Sequence, residues 1–452
     1  MNHSRSILSY LLAIFSLLFT ILTEESKGGE KIFQYPISVG VLENGLKVIS
    51  VEFDSPGIIS YYTVVRTGSR NEVEAGKSGF AHFFEHMMFR GTENHSSEDF
   101  NDIIKAVGAD FNANTSDDRT LYHFLSSSEA LETIMDLESD RFQNLKYDED
   151  DFKKEAGAVL GEYRKGVTNP FLPIRERMRD SAFQTHTYKH TTIGFLEDIE
   201  DMPNQYEHSL FFFDTYYRPN NCIIVVVGDV NHESLMALAE KYYGKWGSGP
   251  QQPEVPQEAP QTEEKREKLG WDNPTLPIIA ISYHGPAFSD TEIDMPALDV
   301  LSQVAFSQSS PLYRKLVIEE QLVEFIQGNA QDRRDATMFE IFTRVKDPAN
   351  VQMVEQEIYK AIEEVKNVPV DEERLASIKS HMKYQFAMNL NSPGSIASTL
   401  AHYISLTGDP ETVNRVYDLY DRVSAQDIKN IAKKYFAVEN RTVVNLSHKG
   451  GE

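Results

Sequence analysis

The segment Gly79-Phe-Ala-His82-Phe-Phe-Glu85-His86-Met-Met-Phe-Arg-Gly-Thr92 sets two histidines and a carboxylate in H-x-x-E-H spacing. This is the inverse of the commoner H-E-x-x-H zinc signature. On a helix, residues four apart lie one turn from each other on the same face, so both imidazoles reach a single ion. Glu85 precedes His86 by one residue. Its carboxylate falls beside the ion without having to ligate it, where a general base acting on an activated water belongs. Such a pentapeptide also arises by chance as a surface histidine pair on an amphipathic helix. The flanks argue against that origin, because Phe80, Ala81, Phe83, Phe84, Met87, Met88 and Phe89 are all apolar. A polar pair in a mostly buried segment needs a partner.

A third donor lies downstream, in Tyr147-Asp-Glu-Asp-Asp-Phe-Lys-Lys-Glu155-Ala-Gly-Ala-Val-Leu-Gly-Glu162-Tyr-Arg164. The segment predicts a helix whose acidic first turn suits the helix dipole. Glu155 and Glu162 then project from one face, two turns apart. A catalytic zinc takes three protein ligands and keeps one position open. His82, His86 and Glu162 supply three. Glu155 is placed to hydrogen-bond a ligating imidazole from behind.

The elements that must position these groups are also legible. Asn44-Gly45 between Val39–Leu42 and Leu46–Val51 predicts a hairpin. Ile58–Val65 predicts another strand, followed by the histidine helix. Ser96 with Asp99 caps a helix running to Val107. Strands around Asn112 and Tyr122 precede helices near 128–145 and 148–165, and Cys222–Val227 is a continuous apolar run fit for a buried strand. Strands mixed with runs of helices indicate an α+β fold. Residues 248–268, rich in Pro, Gln and charge, cannot bury enough apolar surface to fold alone and read as an extended linker. The linker separates a first domain over 33–247 from a second over 269–449.

The second domain reads as a degenerate copy of the first. Tyr216–Asn221 before an apolar strand parallels Tyr435–Asn440 before Val443–Leu446, and Asp148–Phe152 opening a helix parallels Val370–Leu375. The copy has no H-x-x-E-H, and the positions matching Glu155 and Glu162 fall near Ile378 and Gln385.

The spacing of His82, Glu85, His86, Glu155 and Glu162 resembles the pitrilysin/insulinase family of zinc metallopeptidases, the inverzincins. Three further segments extend the likeness: Gly108–Tyr122, Thr192-Ile-Gly194 and Tyr217–Asp229. Within the family the chain is similar to the short two-domain type, that of the mitochondrial processing peptidase beta subunit and bacterial homologues. The resemblance runs from about Phe33 to about Leu446. It implies two homologous α+β domains, each a mainly antiparallel sheet packed with helices, forming half of a clamshell. It implies one zinc per chain on His82, His86 and Glu162, with Glu85 and Glu155 serving catalysis. It implies a zinc endopeptidase acting on extended peptides that add as a strand beside Asn112 and Ala113. The alternatives are a non-catalytic peptide-binding or scaffold subunit, or a zinc hydrolase for another substrate. Non-catalytic members typically lack part of the metal motif, whereas this motif is complete. Active members often carry an arginine and a tyrosine seven apart in a later domain. Here the matching segment, Leu312–Phe325, has Val317 and Glu324 at those positions. The expected partner is therefore a second family subunit supplying the pair, as a heterodimer, or else a second copy in a homodimer.

Composition bounds the rest. The chain has 452 residues, a net charge of −25 and a pI near 5.0. Such a balance excludes nucleic acid as a partner, because phosphates need basic patches. It is read first as simple solubility, with attraction of basic peptides as the alternative. The single cysteine, Cys222, permits no intrachain disulfide and no thiolate metal site, and it reads as a small buried hydrophobe. Arg5 before the apolar run Ile7–Leu22, then polar Thr23–Gly29, reads as a secretory signal peptide over residues 1–28. The chain is then expected to be exported and periplasmic; an uncleaved N-terminal anchor is the alternative.

Overall fold

A computed structural model describes residues 31–450, so the expected signal segment lies outside the described residues. The first half builds a six-stranded sheet in the order β1 (Ile37–Val41), β2 (Lys47–Glu52), β6 (Cys222–Gly228), β3 (Ile58–Val65), β5 (Thr120–Ser127), β4 (Asp110–Thr115). The second half builds a five-stranded sheet in the order β7 (Lys265–Trp271), β11 (Arg441–His448), β8 (Ile278–His284), β10 (Met338–Val345), β9 (Val323–Ala330). Each sheet has one parallel pair, β2 with β6 and β7 with β11, and is otherwise antiparallel. Apart from edge strand β1, the two orders match strand for strand, so the duplication weakly signalled in the sequence is complete in the topology.

Local chemistry explains the strand choices. Every residue of β6 is buried, which is why its centre, Ile223–Val227, is an unbroken β-branched run rather than an alternating one. Asn44-Gly45 turns the β1–β2 hairpin with Gly45 at φ 91°. The Asn44 amide also donates to the carbonyls of Tyr243 and Trp246, at 2.7 and 3.0 Å, tying the turn to the end of a helix.

The helices of the first half are α1 (Phe80–Met87), α2 (Ser97–Ala106), α3 (Leu131–Asn144), α4 (Glu149–Gly166), α5 (Phe171–Ala182), α6 (Leu196–Asp201), α7 (Tyr206–Tyr216) and α8 (His232–Tyr243). Those of the second are α9 (Asp294–Phe306), α10 (Val351–Asn367), α11 (Glu372–Asn389), α12 (Pro393–Thr407), α13 (Thr412–Arg422) and α14 (Ala425–Tyr435). One face of each sheet packs on helices of its own half. The opposite faces are covered by exchange. Ile396, Leu400, Ile404, Val413 and Val416 of α12 and α13 lie against Val225, Val227 and Val64 of the first sheet. Ile174, Met178 and Ala182 of α5 lie against Ile278, Ala280, Phe342 and Val444 of the second. By chain order α5 and α12 are counterparts, so each half lends the same helix to the other.

Counterpart hairpin tips close the contact. The β4–β5 turn brings Asp117, whose carboxylate accepts from Arg179 Nη1 and Nη2 at 2.8 and 3.0 Å and from Arg333 Nε at 2.6 Å. Asp118 accepts from the Arg334 backbone N–H at 3.0 Å and from the Tyr188 hydroxyl at 2.7 Å. Asp335, on the β9–β10 loop, takes His186 at 3.0 Å and Arg70. Burial pushes the Asp117 carboxyl up, but Arg179 and Arg333 outweigh it and hold it well below the carboxylate range.

The stretch 248–264 between the halves carries no helix or strand, and Lys265–Lys268 enter β7. The stretch is nevertheless anchored: Glu258 accepts the backbone N–H groups of Gln184, Thr185 and His186 at 2.8 to 2.9 Å. No helix among the described residues is long and apolar enough to cross a membrane.

Candidate metal centre

Helix α1 is held at its first turn by a carboxylate from outside it. Buried Glu72 accepts the N–H groups of Gly79 and Ala81 at 2.8 and 2.7 Å, satisfying donors that a helix start leaves free. Burial raises the Glu72 pKa well above the carboxylate range. Gly194, at φ 93°, leaves room for this start: a Cβ there would lie 2.8 Å from Gly79 N and 2.8 Å from Ser78 C. That is the structural use of the Thr192-Ile-Gly194 segment. Phe80, Phe83, Phe84 and Met87 then bury the rest of α1.

The opposite face of α1 meets α4, and three sequence-predicted donors converge there. His82 Nε2 lies 3.5 Å from Glu162 Oε2, and His86 Nε2 lies 3.6 Å from Glu162 Oε1. One donor atom from each residue lies within 4.8 Å of the others. Bonds of about 2.0–2.1 Å in a tetrahedron place ligand atoms about 3.3 Å apart, so the set fits one zinc with little movement. Burial, then the neighbouring His86, pushes His82 down to about 4, which keeps its imidazole neutral as a ligand must be. Among the described residues the buried His82 Nδ1 has no hydrogen-bond partner.

Glu155 stands behind His86. Its Oε1 accepts from His86 Nδ1 at 2.9 Å, and its Oε2 takes Arg90. This bond fixes the tautomer that turns Nε2 toward Glu162. Burial pushes the Glu155 carboxyl up, but His86 and Arg90 outweigh it and hold it low. The same bond raises His86.

Glu85 is not within the donor group. Its Oε2 accepts from the Thr115 hydroxyl at 2.6 Å, which aims the carboxylate from the end of β4. Burial raises its pKa, and the Thr115 hydrogen bond opposes the rise. Asn112 and Ala113 lie on the same strand, which pairs with β5 on one side only and ends the sheet. Asn112 is exposed and Ala113 half-buried, and Asn112 Oδ1 accepts the Ala113 N–H at 2.9 Å. The residues read as metal ligands, base and orienting carboxylate thus gather in one place, with Asn112 and Ala113 on the strand that leads to it.

A hollow of about 430 Å³ opens over these groups, lined by His82, Thr115 and Glu162 and, from the second half, by Gln331 and Arg333. A separate apolar hollow of about 220 Å³ in the second half, beside Val304, Leu312 and Val365, holds none of the donors. Sequence reasoning did not assign Thr115, Arg90, Glu72 or Arg333. Thr115 follows Ala113 at the strand period and so shares its face. Nothing in the sequence could have joined Arg333 to the first half. The segment expected to carry an arginine and a tyrosine holds Val317 in a π-helical turn, and Glu324 at the start of β9, 3.6 Å from Arg344.

The chain is thus a duplicated α+β protein with a histidine-and-glutamate cluster on its first half. The chain matches the family description "Insulinase (Peptidase family M16)" over residues 52–194 and "Peptidase M16 inactive domain" over 205–382, and it belongs to that family. It is 29% identical to zinc protease PqqE of Helicobacter pylori across 90% of this chain and 91% of that one. It is 22% identical to a probable mitochondrial-processing peptidase subunit beta of Arabidopsis thaliana, across 88% and 76%. The crystal structure of a protease from Helicobacter pylori superposes with a TM-score of 0.86 at 29% identity, covering 91% of this chain and 99% of that one. A putative M16-like peptidase from Alicyclobacillus acidocaldarius shares the fold at a TM-score of 0.80 and 19% identity, over 92% and 99%.

Proposed function

We propose that this protein is a zinc-dependent endopeptidase whose ion is held, one per chain, by His82, His86 and Glu162. The observation that carries the reading is the convergence of those three donors with Glu85 alongside and Glu155 behind. A zinc ion supplies a Lewis acid that acidifies water and polarises a carbonyl. Glu85 takes the water's proton and passes it to the departing amine nitrogen. Thr115 holds the carboxylate in line, and Glu155 holds the His86 ring. The outer edge of β4, the end strand of its sheet, suits near Asn112 and Ala113 an extended peptide that pairs through its backbone, giving affinity with modest side-chain selectivity. The complete motif supports a peptidase over a non-catalytic scaffold subunit.

The same reading includes a partner. Neither Val317 nor Glu324 can donate to a developing oxyanion as an arginine and a tyrosine would, and one such donor is typically worth about 2.7–4 kcal/mol. A second family subunit carrying that pair supplies it, or a homodimer works with narrower activity. Export to the periplasm through residues 1–28 belongs to this reading as well.

The test is Glu85→Gln, assayed with the candidate partner present. The amide keeps the shape but cannot take a proton, so zinc content stays at the wild-type level while turnover falls by ~10²–10⁴-fold. Near-wild-type turnover would remove Glu85 from the chemistry.

A further inference from the structure

The hollow over the metal donors is not closed at Glu162. A second hollow, of about 540 Å³, shares Glu162, Leu172 and Arg175 with the first, so one groove runs from Thr115 past Glu162 to Asn169. Two cations line it beyond Glu162: Lys165, one turn further along α4, and Arg175 on α5. Both residues are exposed. Among the described residues, neither side chain has an ion-pair or hydrogen-bond partner. The other arginines around the hollow are already engaged, since Arg179 and Arg333 both bind Asp117. In a chain of net charge −25, two unneutralised cations in the groove beside the metal donors are conspicuous.

Arg175 is also held in place. Its guanidinium lies over the ring of Phe342, 5.8 Å from the centroid. Phe342 is buried on β10 and packs against Phe171 with ring centroids 6.4 Å apart. A cation–π contact fixes a guanidinium without neutralising it or using its N–H donors. A ring of the second half therefore pre-organises a first-half cation beside the groove.

We propose that Arg175 and Lys165 form a subsite for a carboxylate of the peptide substrate, biasing the site toward peptides with an acidic group on the Glu162 side of the scissile bond. This rests on the peptidase reading. Guanidinium and carboxylate match as a two-bond fork, with the ammonium as a second point charge. The carboxylate comes from an Asp or Glu side chain or from a free C-terminus.

Two arms separate the sources. Peptides of one sequence are compared with Glu or Gln scanned through successive positions, and with free or amidated C-termini. Each is assayed for kcat/KM with zinc-loaded protein, and for Kd by fluorescence anisotropy with the Glu85→Gln protein. One of the two pairs is expected to show roughly tenfold discrimination in wild type, expressed in KM and Kd. Arg175→Gln brings that ratio to about one, Lys165→Gln lowers it partway, and Arg175→Glu turns the preference toward Lys-containing peptides. Discrimination in the Glu/Gln pair assigns the side chain; discrimination in the free/amidated pair assigns the terminus. Equal handling of both pairs by wild type, or a ratio unmoved by Arg175→Gln, overturns the subsite. If zinc-loaded wild type with its partner cleaves none of the peptides, the peptidase reading fails, and the Kd ratios still decide the subsite.

Discussion

Helices α4 and α11 occupy the same place in the two halves and open with the same device. Asp148 caps the first through the Asp151 N–H at 2.9 Å, and Asp371 caps the second through the Arg374 N–H at 3.0 Å. Both run for 18 residues. Beyond the first turn they diverge. α4 buries Phe152, Glu155, Ala156, Val159 and Tyr163 against α1 and α7, whereas α11 buries only Leu375. Where α4 carries Glu155 and Glu162, α11 carries Ile378 and Gln385, and where α1 carries two histidines, α9 is a buried apolar helix. The copy kept strand order and capping, which fold requires, and lost the donors, which only chemistry requires. It retained other work: α12 and α13 cover the first sheet, the Arg333 loop braces the turn after Thr115, and Phe342 holds Arg175.

The largest expected effect comes from breaking the brace between the halves. Asp117→Asn leaves Arg179 and Arg333 without their shared carboxylate, and losing one partner of a buried pair costs about 3–5 kcal/mol. Chemical denaturation is expected to show that loss as a lowered midpoint. A loss no larger than that of Lys31→Ala, which removes an exposed pair with Glu411, would mean that the Asp117 pairs add nothing to the join between the halves.

Next in size is the orienting carboxylate that α11 lacks. Glu155→Gln retains a hydrogen bond to His86 but gives up the charge, and zinc affinity is expected to fall about 10–100-fold. Competition with a chelator measures it. Unchanged affinity would reduce Glu155 to a packing residue, no different in kind from Ile378.

The smallest effect is expected in the copy itself. Gln385→Glu restores a carboxylate to exposed α11, yet α9 offers no imidazole to meet it. Stability should stay within about 0.5 kcal/mol of wild type and metal content should not rise. A second zinc per chain would show that the copy's site is only masked.

Much of this was legible in the sequence because local chemistry encodes it. The H-x-x-E-H spacing, Asn44-Gly45, the Ser96 capping box and the apolar Cys222–Val227 run each specify their element through neighbours a few residues away. The β3 bounds expected from the sequence, Ile58–Val65, are those observed. What the sequence hid is what depends on distant pairing. An apolar face on α5 or α12 shows that the helix is covered, but not that the covering sheet belongs to the other half. Arg333 and Phe342 carry no local mark of their roles beside a cleft built on residues far earlier in the chain. Glu72 looks like any acidic loop residue until the fold brings it beneath the start of α1.

On the function proposed above, the first half holds one zinc on His82, His86 and Glu162 and the second half holds none. Elemental analysis of purified full-length chain beside Glu162→Gln tests it directly. One zinc per chain in wild type, and little or none in the variant at equal folded fraction, is the predicted result; zinc retained undiminished in Glu162→Gln would contradict it.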